Sequence, residues 1–121
     1  MGSTKILLVE DDKNIKFNIK SMLELEDYEV VDVENGSSAF VELGKQSYNL
    51  IITDIMMVNM DGLELLALIR KNKLLKNIPV ILVTAKSIKE LPEMIFDSKC
   101  FFLGKPFSYD HLLETVKIAL S

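Results

Sequence analysis

The fold is decided by the stretch Asn49-Leu-Ile-Ile-Thr-Asp-Ile-Met-Met-Val-Asn-Met-Asp-Gly62. Its apolar run, Leu50–Ile52, predicts a strand that is covered on both faces. The run stops at Asp54, and Asp61-Gly62 predicts a turn that opens a helix. Open α/β sheets bind ligands beyond the carboxyl ends of their strands, so Asp54 is a candidate site residue. Taken alone, it is more simply interpreted as a residue that terminates the strand.

Composition indicates one soluble domain. The 121 residues are 49% hydrophobic and include only 3 prolines, which is atypical of a disordered chain. The 18 acidic and 14 basic residues give a net charge of −4, the wrong sign for a surface that binds nucleic acid. Cys100 is the single cysteine, which excludes an internal disulfide, and no apolar stretch reaches the roughly 18 residues of a membrane span. We therefore expect a cytoplasmic protein that contacts neither nucleic acid nor membrane directly.

Apolar runs that alternate with helical periodicity predict five strands and the helices between them. Asn35-Gly36 is compatible with a hairpin turn, but the helical spacing of the apolar residues after it favours a loop into a helix. Pro92 limits any helix between residues 86 and 97 to a short one that begins near it. The predicted strands are Lys5–Val9, Tyr28–Val33, Asn49–Thr53, Val80–Val83 and Cys100–Leu103. Four helices are predicted: the first from the N-cap Asp12 to about Glu26, the second from the loop at Asn35-Gly36 to about Gly44, the third from about Leu63 to Leu75, and the last from the N-cap Ser108 onward.

Strands that alternate with helices predict a parallel sheet with right-handed crossovers. We expect an α/β, flavodoxin-like (βα)5 three-layer sandwich with sheet order 2-1-3-4-5, which leaves the second strand at an edge. The domain is expected to span residues 5–121, after a disordered or artificially added tail at residues 1–4. In this order the carboxyl ends of strands one and three are neighbours.

Five polar side chains fall at the carboxyl ends of four predicted strands. Three carboxylates held together repel one another unless a cation lies between them. Oxygen ligands favour Mg²⁺ over zinc, and a hydroxyl and an ammonium group suit the oxygens of a phosphoryl group. Such a set has the groups needed to form and hold an aspartyl phosphate. Its members are Glu10, Asp11, Asp54, Thr84 and Lys105.

Four segments and the spacing between them resemble the receiver domains of two-component response regulators, over residues from about 5 to 120. The resemblance implies a phosphoryl-accepting signalling switch of a phosphorelay. It also implies that the chain is not an enzyme, although it assists its own phosphorylation and dephosphorylation. The matching segments are Ile6-Leu-Leu-Val-Glu-Asp-Asp12, Asp54-Ile-Met-Met-Val-Asn-Met-Asp-Gly62, Ile78-Pro-Val-Ile-Leu-Val-Thr-Ala85 and Lys105-Pro-Phe107.

The resemblance assigns roles around a magnesium ion. By it, Asp54 is the phosphoacceptor, and Asp11 and Asp54 bind Mg²⁺ directly. The carbonyl oxygen of Met56 is implied as a third ligand, and Glu10 as a ligand that acts through water.

The resemblance also implies how phosphorylation is detected. Thr84 and Lys105 would hold phosphoryl oxygens, and Lys105-Pro106 would be a cis peptide. Phe102 matches the family's switch aromatic, which would move together with Thr84 when the phosphoryl group arrives.

Three departures from the family's pattern affect loops. Val58 stands where proline is usual after the phosphoacceptor, and Ser98-Lys99 replaces a pair of small residues before strand five. The segment from Thr84 to Lys105 is about one residue short. Val58 would loosen the loop after the phosphoacceptor, and the other two departures concern the face of the fourth helix and fifth strand, at which receivers usually meet their outputs. None of the three alters the expected phosphorylation chemistry.

The implied partners are a sensor histidine kinase or a histidine phosphotransfer protein, together with an unidentified output domain or target protein. We expect a monomer or a weak, phosphorylation-dependent dimer. The simplest interpretation of Lys13, Lys16 and Lys20 is a solvated helix face; with an exposed Phe17 they form an alternative docking surface for a kinase.

Two other functions are weighed against the switch. One is a receiver-like interaction module that takes no phosphate. The other is a Mg²⁺-dependent aspartyl phosphatase, whose chemistry requires a second acid where this chain has Met56.

Overall fold

A computed structural model describes residues 3–57, 60–91 and 97–121 of the protein. Within these ranges, strands alternate with helices in the predicted order. The strands are β1 (Lys5–Val9), β2 (Glu29–Val33), β3 (Leu50–Asp54), β4 (Val80–Thr84) and β5 (Cys100–Gly104); the helices are α1 (Lys13–Glu24), α2 (Gly36–Leu43), α3 (Gly62–Lys71) and α4 (Tyr109–Leu120), with a short 3-10 turn at Ile88–Glu90.

The strands form one parallel sheet in the order β2-β1-β3-β4-β5, which confirms the predicted flavodoxin-like topology. Val9 is paired in register with Thr53, so the carboxyl ends of β1 and β3 lie side by side. Asp54 is in register with Val83 of β4. The end of the sheet at which the strands finish is called the carboxyl edge, and the end at which they begin is called the amino edge.

The sheet is the middle of three layers because β1, β3 and β4 are apolar on both faces. One face packs against α2 and α3, where Ala39, Leu65 and Ile69 are fully buried. The opposite face packs against α1 and α4, where Leu23 and Val116 are fully buried. Burial on both sides explains why the central strands are continuous apolar runs.

Each helix begins at a polar side chain that accepts hydrogen bonds from the first turn. Asp12 and Ser108 cap α1 and α4, as their positions predicted. Asn35 caps α2 through the amide of Ser38, and this cap replaces the hairpin turn that Asn35-Gly36 could have formed. Asp61 caps α3 through the amide of Glu64.

The third helix is shorter than predicted. It ends at Lys71 because Asn72 has an extended backbone, and the Asn72 side chain accepts hydrogen bonds from the amides of Leu74 and Leu75. Leu74, which the apolar pattern placed inside the helix, is 94% exposed. The helix predicted to begin near Pro92 falls outside the described residues.

The basic face of α1 is partly paired rather than solvated. Lys20 and Lys16 lie 2.8 and 3.5 Å from carboxylate oxygens of Asp32 on the edge strand β2. The prediction of a solvated face is therefore wrong for these two lysines. Phe17 is 71% exposed, as its position off the apolar stripe predicted. Among the described helices, none combines the length and apolar character needed to cross a membrane.

Candidate phosphorylation site

Three carboxylates converge at the carboxyl edge, at the junction of β1 and β3. Glu10 and Asp11 directly follow β1, and Asp54 is the last residue of β3. One carboxylate oxygen from each lies within 4.8 Å of those from the other two. Glu10 and Asp54 are only 2% and 7% exposed, whereas Asp11 faces solvent. This crowding follows directly from the pairing of β1 with β3.

Burial raises the pKa of Glu10 to about 7, and the neighbouring Asp54 charge acts in the same direction. The backbone amide of Asp12 opposes this shift by donating a hydrogen bond to Glu10 Oε2 at 3.0 Å. The charged form of Glu10 is therefore held at an energetic cost. A cation in the cluster would remove much of that cost.

Lys105 supplies a positive charge beside Asp54. Its Nζ lies 2.7 Å from Asp54 Oδ2, in an ion pair that joins residues 51 positions apart. Lys105 directly follows β5, and the Lys105-Pro106 peptide bond is cis. The lysine is therefore already seated at the oxygen of the proposed phosphoacceptor.

Thr84 is the last residue of β4 and is 4% exposed. It lies one position beyond Val83, the register partner of Asp54. The Thr84 hydroxyl oxygen accepts a hydrogen bond from the amide of Lys86 at 2.9 Å. It therefore caps the loop that leaves β4 and stands on the strand next to Asp54.

The loop after β3 folds back tightly on the strand end. The amide of Gly62 donates to the Ile55 carbonyl oxygen at 2.9 Å, and a Cβ on Gly62 would lie 2.5 Å from the Asp54 carbonyl oxygen. Only glycine allows this approach without movement of the backbone. The amide of Met56 lies 3.4 Å from Asp54 Oδ1, and the Met56 side chain is 68% exposed. Val58 lies outside the described residues.

Phe102 lies in β5 in register with Leu82 and is partly buried against the α2 and α3 face of the core. Its position links β5 to that core.

Sequence reasoning placed five of these residues at the correct edge but missed how they are held. The ion pair of Lys105 with Asp54 and the close approach of Gly62 are tertiary contacts. The Asp61-Gly62 dipeptide signalled a turn, and nothing in it indicated how near the Asp54 carbonyl would lie. The hydrogen bond from the Asp12 amide to the Glu10 carboxylate was also missed.

The donor set fits a hard divalent cation. Carboxylate oxygens of Glu10, Asp11 and Asp54 are the ligands that Mg²⁺ prefers, and the exposure of Asp11 leaves a side open to water. No histidine or cysteine belongs to this described cluster, so soft-metal chemistry is not favoured.

Comparisons with known proteins agree with this geometry. A family model for the response regulator receiver domain matches residues 6–117. The probable transcriptional regulator ycf29 of Pyropia yezoensis is 37% identical over 115 residues, which cover 94% of this chain and 52% of that protein. The chain spans about half of the length, or less, of such curated relatives.

Two solved structures share the fold closely. The response regulator TrrA of Thermotoga maritima, in complex with Mg(2+)-BeF, has a TM-score of 0.84 at 37% identity, covering 97% of this chain and 99% of that one. The receiver domain of sensor histidine kinase PA1611 of Pseudomonas aeruginosa PAO1 has a TM-score of 0.88 at 26% identity and covers 98% of each chain. That domain was solved with a magnesium ion coordinated in its active-site cleft.

Proposed function

Since this chain belongs to the response regulator receiver domain family, we propose that Asp54 accepts a phosphoryl group from a phosphohistidine of a sensor histidine kinase or a histidine phosphotransfer protein. The observation that carries the proposal is the environment of Asp54. Its carboxylate is buried beside two further carboxylates, and its Oδ2 lies 2.7 Å from Lys105 Nζ. A buried carboxylate beside a lysine and two further acids fits the role of a nucleophile in phosphoryl transfer better than that of a strand-terminating cap.

An oxygen of Asp54 attacks the donor phosphorus, the phosphorus–nitrogen bond breaks, and the departing imidazole nitrogen takes up a proton from solvent water. Asp11, Asp54 and the Met56 carbonyl oxygen would hold Mg²⁺ directly, with Glu10 acting through water. When bound, the ion neutralises charge on the phosphoryl oxygens.

The switch begins when Lys105 exchanges partners. In the unphosphorylated protein it pairs with Asp54 Oδ2, and a phosphoryl group on Asp54 offers it oxygens of higher charge. The Thr84 hydroxyl, whose oxygen accepts from the Lys86 amide, turns to donate its own proton to another phosphoryl oxygen. Movement at the end of β4 then reaches Phe102 through the pairing of β4 with β5.

We further propose that the receiver domain spans residues 5–121, acts in the cytoplasm, and is a monomer or a weak phosphorylation-dependent dimer. Its phosphorylated state would act on an output domain or a separate target protein. The transcriptional regulators among its relatives support this output.

Intact mass spectrometry with acetyl phosphate and Mg²⁺ tests the nucleophile. The wild type should gain the mass of one phosphoryl group, whereas Asp54→Asn should gain none. The matched control is Asp61→Asn, a nearby isosteric change that keeps a helix-capping oxygen. A mass gain in Asp54→Asn equal to that of the wild type would remove Asp54 from its role. A wild type that gains no mass would favour the phosphate-independent interaction module.

Substitution of Thr84 tests the coupling. The Thr84→Ala variant should still accept the phosphoryl group, but the conformational change should not reach β5. In Thr84→Ser, which keeps the hydroxyl, the change should reach β5. Backbone NMR spectra of β4 and β5 before and after phosphorylation provide the measurement. If phosphorylated Thr84→Ala reproduces the wild-type spectral change, the coupling does not run through Thr84.

A further inference from the structure

We propose that Gly36 is a positioning residue for the phosphorylation site, although it belongs to α2 and carries no functional group. It holds Met60 and thereby fixes the loop that leads from Asp54 through Met56 to α3. The inference deepens the proposed function and rests on it for the role of Met56. Its geometric basis is independent of any reaction.

The contact between Gly36 and Met60 is closer than any other residue would allow. The amide of Gly36 donates to the Met60 carbonyl oxygen at 3.2 Å. A Cβ on Gly36 would lie 2.4 Å from that oxygen and 2.8 Å from Met60 Cγ. The first of these atoms belongs to the backbone, so the clash could be relieved only by moving the loop or the helix.

Met60 itself has an unusual backbone. Its φ of 44° lies in the left-handed region, which non-glycine residues adopt at a cost and only where their surroundings impose it. Two contacts hold Met60 in this conformation. The Met60 side chain packs against the core beneath α2 and α3, and its carbonyl oxygen is bound by Gly36.

The loop is thus restrained at two points by two different glycines. Gly62 closes its base on Ile55, and Gly36 holds it from the neighbouring helix through Met60. Met56 lies between these restraints along the chain.

Helix propensity and the contact predict opposite effects for one substitution. Alanine is a better helix former than glycine, so Gly36→Ala would favour an isolated α2. In the protein the added methyl group must displace Met60. The matched control is Gly44→Ala at the other end of α2, where a Cβ would meet only the Val41 carbonyl oxygen at 3.4 Å.

The experiment compares these variants with the wild type in three measurements. Calorimetric titration gives the Kd for Mg²⁺, acetyl phosphate kinetics separate the maximal rate of phosphorylation from the half-saturating donor concentration, and ¹³C-methyl NMR follows the methionines of the loop. Gly36→Ala should raise the Mg²⁺ Kd and lower the maximal rate by on the order of tenfold, with the half-saturating concentration little changed. It should also shift the Met56 and Met60 methyl signals. Gly44→Ala should match the wild type in all three.

A second variant separates positioning from general damage. Met60→Gly makes a positive φ free of cost and removes the Met60 Cβ and Cγ contacts, so the loop can yield to a methyl group at position 36. Gly36→Ala should therefore cost less in the Met60→Gly background than in the wild type. This comparison stands even if the single variant Gly36→Ala folds poorly.

Several outcomes would overturn the proposal. They are equal behaviour of Gly36→Ala and Gly44→Ala, unchanged methyl signals in Gly36→Ala, or additive effects of Gly36→Ala and Met60→Gly. A wild type that binds no Mg²⁺ and takes no phosphoryl group would instead contradict the proposed function, and the methyl signals would then still decide whether Gly36 positions the loop.

Discussion

At the amino edge of the sheet, the Arg70 guanidinium donates to Asp97 at 2.9 Å and to the Ile78 and Lys99 carbonyl oxygens at 2.8 and 3.1 Å. At the carboxyl edge, three carboxylates gather within 4.8 Å, and one of them pairs with the ammonium group of Lys105. The sheet thus carries a satisfied hydrogen-bond network at its amino edge and an excess of like charge at its carboxyl edge.

The difference indicates which edge awaits a ligand. A second network at the amino edge is also closed within the protein: the Tyr48 hydroxyl donates to Glu42 at 2.8 Å, and Gln46 donates to the same carboxylate at 2.9 Å. Burial and the Glu42 carboxylate raise the pKa of Tyr48, which keeps it a donor. Such contacts stabilise the fold. The crowded acids of the carboxyl edge instead raise the free energy of the native state, and the proposed cation would lower it.

The largest effect expected at the amino edge comes from Arg70→Ala. The change leaves two backbone carbonyl oxygens and Asp97 without their cationic donor, so the free energy of unfolding should fall by about 2 kcal/mol. Urea denaturation measures the loss. Lys71→Ala, which removes an exposed neighbouring cation, should cost much less.

This substitution also separates the two edges. Phosphorylation and the response to Mg²⁺ should survive Arg70→Ala under conditions where the protein remains folded, because the guanidinium lies at the opposite end of the strands. A parallel loss of Mg²⁺ binding and stability would show that the edges are coupled, contrary to the comparison.

The sequence was sufficient for the sheet because buried parallel strands are continuous apolar runs. The sequence also predicted which residues make up the site. Polar residues that directly follow parallel strands must lie together at the carboxyl edge of the sheet. The sequence failed where side chains override periodicity. The apolar spacing carried α3 to Leu75, but the Asn72 side chain binds the amides that a longer helix would have used.

Long-range pairings could not be predicted for a different reason. Arg70 meets Asp97 across 27 positions, and Lys105 meets Asp54 across 51. Each pairing depends on sub-ångström placement of whole elements and not on any local pattern. The same holds for the approach of Gly36 to Met60, since a glycine in sequence does not reveal which atom it makes room for.

The smallest effect is expected at Asp32, an acid with cationic neighbours. The hydrogen bond from Lys20 lowers the pKa of Asp32, with a further contribution from Lys16. A lowered carboxyl pKa contributes stability above the unfolded value of about 3.9, and that contribution is lost as the pH falls through the folded pKa. Because the pair is partly exposed, the change should be small.

The measurement is the urea midpoint between pH 3 and 6 for the wild type and Asp32→Asn, read as a trend. The wild type should lose slightly more stability than the variant as the pH falls below about 4. Identical pH profiles would show that pairing at the edge strand contributes nothing. The contrast between Asp32, an acid paired with lysines, and the crowded acids at the carboxyl edge would then have no energetic basis.

Thermal melting with and without Mg²⁺ at matched ionic strength tests the central claim, that the acids of the carboxyl edge form a strained cation site. At free Mg²⁺ tenfold above Kd, the wild type should gain about 1.4 kcal/mol and melt on the order of 4 °C higher. Asp11→Ala should melt higher than the wild type without metal and lose most of the response. Asp11 is a cleaner choice than Asp54, whose removal also breaks the ion pair with Lys105.

The control is Glu114→Ala, which removes one exposed negative charge from α4 and should leave the Mg²⁺ response intact. A wild type whose melting temperature is indifferent to Mg²⁺, or an Asp11→Ala variant destabilised in the absence of metal, would contradict the account.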